Sequence, residues 1–167
     1  MLKNFSAGLF LLCFLLNTNV YSQKIKLLAS YGKNAESGSR YVAVLNDNSI
    51  WWFEAKSSWK KVALDGLPEK AEIKFISAYE KNTANGTRYV MVLSDNTIWW
   101  YAPSSNWQKS QADGLPKDYT IVQFQAYEKN ADSGTVYVTV LGDGAVWTFS
   151  SKEGWKKSSS SGLPKDK

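Results

Sequence analysis

Apolar and polar positions in this chain fall into short runs, and no stretch keeps a helical period. Residues 41–59 read YVAVLNDNSIWWFEAKSSW. Two runs of aromatic and β-branched residues, 41–45 and 50–53, flank the polar tetrapeptide Asn46-Asp47-Asn48-Ser49. That pattern predicts a β-hairpin, because such side chains suit a pleated surface and Asp and Asn tolerate the backbone of a tight turn. A further strand is expected to begin around Trp59. Taking Asp47-Asn48 as the turn centre pairs Leu45 with Ile50, Val44 with Trp51 and Val42 with Phe53. Val42, Val44, Trp51 and Phe53 would then share one face, and Ala43, Leu45, Ile50 and Trp52 the other. Both faces are apolar, so the hairpin is expected to be packed on both sides, since a sheet with one wet face alternates apolar with polar.

The same text returns at residues 89–107 (YVMVLSDNTIWWYAPSSNW) and at residues 137–155 (YVTVLGDGAVWTFSSKEGW). Tyr31, Tyr79 and Tyr127 are 48 residues apart, as are Trp51, Trp99 and Trp147, and Pro68, Pro116 and Pro164. Sixteen positions are identical in all three copies, among them Gly38, Asp47, Trp59, Gly66, Leu67 and Pro68. Duplication accounts for such identity as readily as constraint does. Each unit divides into four short strands: 25–30, the two arms of the hairpin, and the strand from Trp59, closed by Asp65-Gly66-Leu67-Pro68 where glycine and proline end pairing. In the third copy the turn becomes Gly142-Asp143-Gly144. The fold class is all-β, with repeats at 23–70, 71–118 and 119–167 forming one domain. Propeller blades fit best, because a blade is a four-stranded meander of about 40–50 residues and is covered on both faces. A β-trefoil, or a β-prism with pseudo-threefold symmetry, is the alternative that the count of three favours. As blades, three units would leave an apolar face open, and a homodimer completing a six-bladed ring would cover it.

Residues 1–22 precede the repeats and differ from them. Lys3 is followed by an apolar run over 5–16 and a polar end at Val20-Tyr21-Ser22, the pattern of a signal peptide cut before Gln23 and too short for a membrane span. The chain is therefore expected to be secreted, periplasmic or at the cell surface. Its one cysteine, Cys13, lies in that leader, and it has no histidine. Imidazole–thiolate metal sites and Ser-His or Cys-His nucleophiles are thereby excluded, and no cofactor is expected. The 20 Lys and Arg against 15 Asp and Glu are scattered, without the clustered basic patch that nucleic acid requires. Asp47, Asp95 and Asp143 are the recurrent carboxylates, and their place in the hairpin turn makes them turn residues before catalytic ones. No catalytic residue is assigned; a carboxylate-pair glycosidase is the enzyme reading that stays open.

Aromatic residues make up 14% of the chain, and all eight tryptophans lie in the repeats. Trp51 and its copies read as core. Trp52 and Trp100 differ, because Thr148 stands at the third position: truncating a buried Trp costs about 3–5 kcal/mol, so the site is either partly exposed or in a terminal unit with another neighbour. Trp59, Trp107 and Trp155 follow polar loops; core packing is the favoured reading for them, and a rim position in contact with ligand is the alternative. Lys33-Asn34, Lys81-Asn82 and Lys129-Asn130 are the polar candidates, offering the donors and acceptors that hydroxyl-rich ligands need. The run YVAVLNDNSIWWFEAKSSWKKV, with the strand before it and the exit Gly66-Leu67-Pro68, resembles the blades of short-repeat β-propeller lectins of the tachylectin and fucose-binding types. The resemblance implies sugar sites between adjacent blades that combine Trp or Tyr with Arg and Glu. Arg40 and Arg88, with Glu80 and Glu128, are the residues it points to; Val136 and Gly32 depart from the pattern. A carbohydrate-binding protein, multivalent through its repeats and recognising a glycan or glycoprotein, is the function expected. A secreted structural or protein-interaction module is the alternative.

Overall fold

The computed structural model describes residues 23–31, 40–55, 58–79, 88–102, 105–127, 136–159 and 161. Twelve strands form three separate four-stranded antiparallel sheets, each a meander in chain order. The first holds β1 (Ile25–Tyr31), β2 (Arg40–Leu45), β3 (Ile50–Glu54) and β4 (Ser58–Lys61). The second holds β5 (Ile73–Tyr79), β6 (Arg88–Leu93), β7 (Ile98–Ala102) and β8 (Asn106–Lys109). The third holds β9 (Ile121–Tyr127), β10 (Val136–Leu141), β11 (Val146–Ser150) and β12 (Gly154–Lys157). β1 packs beside β5 and β5 beside β9, so the first strands line the inner side of the array and β4, β8 and β12 are the far edges. These are propeller blades, stacked face to face.

The hairpin register differs by one residue from the sequence expectation. Val44 pairs with Ile50, Ala43 with Trp51 and Val42 with Trp52. The loop has three residues, not four: the amide of Leu45 donates to the Ser49 carbonyl at 2.9 Å, and Asn48 takes a left-handed φ of 60°. Asn96 (φ 63°) and Gly144 (φ 79°) repeat it. A type I turn closed by one left-handed residue is a standard three-residue hairpin loop, and Asn adopts that backbone at low cost. Because side chains alternate, the slip exchanges partners on the two faces. Val42, Val44, Ile50 and Trp52 share what we term the back face, turned toward the following unit. Tyr41, Ala43, Trp51, Phe53 and Trp59 share the front face, turned toward the preceding one.

The core lies in the seams between blades. Val42, Val44, Ile50 and Val62 on the back of blade 1 are buried against Ile73, Tyr89, Met91 and Trp107 on the front of blade 2. Val90, Val92 and Ile98 on the back of blade 2 meet Ile121, Tyr137, Leu141 and Trp155 on the front of blade 3. Each seam is pinned by an indole. Trp107 Nε1 donates to the Ala63 carbonyl at 2.9 Å, and Trp155 Nε1 to the Gln111 carbonyl at 3.2 Å. Both rings are almost wholly buried, at 2% and 4% exposure. The receiving turns need glycine twice over. Gly66 has φ +94° and a Cβ there would lie 2.8 Å from the Trp107 carbonyl oxygen; at Gly114 (φ +97°) it would lie 2.7 Å from that of Trp155. A polar clamp adds to the grip at the turn end. Lys74 Nζ donates to the Ile121 carbonyl at 2.6 Å and Asn96 Oδ1 accepts from the Ile121 amide at 3.1 Å.

Gly66→Ala and Gly114→Ala are each expected to lower stability by about 1–3 kcal/mol, through a strained backbone and a displaced indole. Chemical denaturation followed by tryptophan fluorescence measures the loss.

Candidate functional site

Arg40 opens β2 immediately after residues 32–39 and pairs across the sheet with Glu54. Its guanidinium meets the Glu54 carboxylate at 2.6 Å, with the two side chains 18% and 19% exposed. A charge-assisted contact this short, mostly out of water, holds both groups in place. Trp52 lies on the same face, two residues from Glu54, and packs half-buried against the blade 1–blade 2 core. Lys60, its cross-strand partner, holds Nζ 5.3 Å from the indole centroid. Alternation thus brings Arg40, Glu54, Trp52 and Lys60 to the back face of blade 1. The cluster offers cationic donors, a carboxylate acceptor and an aromatic face together.

The other units carry it in diminishing form. In blade 2 the corresponding residues are Arg88, Ala102, Trp100 and Gln108; in blade 3 they are Val136, Ser150, Thr148 and Lys156. Trp100 packs half-buried against the blade 2–blade 3 core. Thr148 stands on the back face of blade 3, so the missing tryptophan marks a unit with no following blade among the described residues.

The remaining sequence candidates divide sharply. Trp107 and Trp155 take the core place favoured for them and not the rim: they are the seam indoles. Trp59, the same residue in unit 1, is 42% exposed. Lys33, Asn34, Glu80, Lys81, Asn82, Glu128, Lys129 and Asn130 lie outside the described residues, as does the side chain of Arg88. Glu54 was missed by the sequence reading. The signal was available: counting back from the turn, the true register places it opposite Arg40.

The recurrent aspartates are turn residues. Asp47 Oδ1 accepts from the Ser49 amide at 2.9 Å and from its hydroxyl at 2.6 Å, and the hydroxyl in turn accepts from Trp51 Nε1 at 3.0 Å. Thr97 relays Asp95 to Trp99 in the same way. The Ser49 side-chain and backbone hydrogen bonds hold the Asp47 carboxyl below its ordinary 3.8. In unit 3 the hydroxyl is gone: Ala145 follows Asp143, and Trp147 Nε1 is buried with no partner. Among the described residues no cluster of carboxylates is placed to hold a metal ion.

No protein-family model matches the chain, and no curated protein matches it in sequence. Its fold is similar to solved structures of the Aleuria aurantia lectin, a point variant of which was solved with Fucα1-6GlcNAc and with α-methyl-L-fucoside. In both the TM-score is 0.53 and the identity 11%, over 80% of this chain and 44% of the lectin. The likeness is one of fold, and the chain spans less than half the length of that lectin.

Two outcomes follow for the turns. Ala145→Ser should raise stability by about 0.5–1.5 kcal/mol, because it supplies the hydroxyl that Trp147 lacks; urea unfolding of the variant against the parent measures it. Folding lowers the Asp47 pKa, so the ionised carboxyl favours the folded chain. That contribution is present above the unfolded value and is lost as pH falls through the lower folded value. The carboxyl carbon shift of Asp47 in an NMR titration should accordingly have its midpoint below 3.8, and Ser49→Ala should move the midpoint upward.

Proposed function

We propose that this chain is a secreted, non-enzymatic carbohydrate-binding protein with more than one site per chain. The observation that carries the reading is the Arg40–Glu54 pair on the same sheet face as Trp52, the face that blade 1 turns toward blade 2. A sugar presents hydroxyls that both donate and accept, and C–H faces that lie against an aromatic ring. An immobilised guanidinium and carboxylate answer the first, and an indole the second. Support comes from a fold similar to a lectin solved with fucosides. The leader-like residues 1–22 are what export requires.

Sites at the two seams would differ. The first would be built on Arg40, Glu54 and Trp52. The second would be built on Arg88 and Trp100, with Ala102 where the first has its carboxylate. Weak individual sites gain avidity by repetition along one chain, and pairing of two chains into a six-bladed ring would double their number.

A glycan array with the purified protein, followed by tryptophan-fluorescence titration with L-fucose and with any array hit, tests the reading. Binding is expected, and Arg40→Met should weaken it about tenfold or more by removing charged hydrogen bonds. Failure to bind any glycan would overturn the proposal.

A further inference from the structure

Blade 1 shows the largest apolar exposure among the described residues on the face that has no described neighbour. Ile25 is 53% exposed, Leu28 60% and Trp59 42%. Of their counterparts one unit on, Ile73 and Trp107 are buried at 2% each in the seam with blade 1, and Ile76 is half-buried against it. A cleft of about 500 Å³ opens on this face between Ile25, Leu45, Trp51 and Trp59. In units 2 and 3 the same face is filled by the preceding blade. The aromatic ladder that carries the indole is also the same in each unit: Phe53–Trp59 centroids lie 5.3 Å apart, Tyr101–Trp107 5.2 Å and Phe149–Trp155 5.3 Å. The front of blade 1 is therefore shaped to receive the back of a blade.

A back face of that kind exists at the other end of the chain. Val138, Val140 and Val146 of blade 3 occupy the positions of Val42, Val44 and Ile50, and none of the three is fully buried. Ser159 occupies the position of Ala63 and Gln111, whose carbonyls receive the seam indoles. The glycine turn that lets an indole approach recurs in the sequence as Ser161-Gly162-Leu163-Pro164. We propose that the back face of blade 3 covers the front face of blade 1 in a second copy, with Trp59 Nε1 donating to the Ser159 carbonyl of the partner subunit. The proposal names the contact behind the pairing introduced above; it rests on blade stacking and not on sugar recognition.

This seam is weaker than the internal ones. Gln123, Gln125 and Thr148 stand where blade 1 has Leu27, Ala29 and Trp52, and Val122 and Gly144 replace the clamp formed by Lys74 and Asn96. Less apolar area is buried and the clamp is missing, so association is reversible and depends on concentration.

Sedimentation velocity of the purified protein over a wide concentration range tests it. Self-association is expected, and Trp59→Lys and Val140→Lys should each weaken it by at least about 30-fold. Mixed together, the two variants should form a heterodimer, because one intact front face then meets one intact back face. Circular dichroism establishes that each variant is folded, and Thr148→Arg replaces Val140→Lys if it is not. A parent protein that stays monomeric at every concentration overturns the proposal. So does Trp59→Lys becoming monomeric while the back-face variant associates normally, which would mean front-to-front pairing. Association without glycan binding removes only the functional reading; glycan binding by a strict monomer removes only this one.

Discussion

The interaction on which this molecule depends is an indole set across a glycine turn in the preceding blade. A sheet with two apolar faces cannot bury itself, so each blade is stable only against a neighbour. Trp107 and Trp155 supply large apolar rings to that contact, and the carbonyls of Ala63 and Gln111 satisfy indole N–H groups that burial would otherwise leave without partners. Gly66 and Gly114 are required because any side chain would displace the incoming backbone. Indole and turn must stay in phase, and an insertion between them would break the seam. The unvarying 48-residue spacing keeps that phase.

Against this fixed frame, the differences between units carry the chemistry. Among the described residues, those the units share serve chiefly packing and turning: the valines of the hairpin, the turn aspartate and the seam tryptophan. Arg40, Glu54 and Trp52 become Arg88, Ala102 and Trp100, then Val136, Ser150 and Thr148. The polar cluster is fullest where blade 1 meets blade 2 and is reduced to Lys156 on the back of blade 3. A binding function built on it would be graded along the chain.

Much of the fold was legible in the sequence because strands, turns and repeats are local patterns. Four strands per unit, the turn role of Asp47 and two-sided burial all follow from letters near one another. The register did not. The letters NDNS suit a four-residue loop and a three-residue loop with a left-handed Asn48 equally, and one residue of slip reverses every side chain. That slip set Trp51 among the valines in place of Trp52 and hid Glu54 behind Arg40. Nor do letters distinguish Trp59 from Trp107, since what separates them is a neighbouring blade and not a nearby residue.

The far edges of the blades have their own consequence. β4, β8 and β12 read SWKK, NWQK and GWKK, and the lysines at these edges are exposed. An open strand edge is a template for unwanted cross-chain hydrogen bonding, and rows of like charge repel any second edge that approaches. The chain is thus free to grow by stacking sheets and barred from growing by extending them, which separates ordered assembly from aggregation.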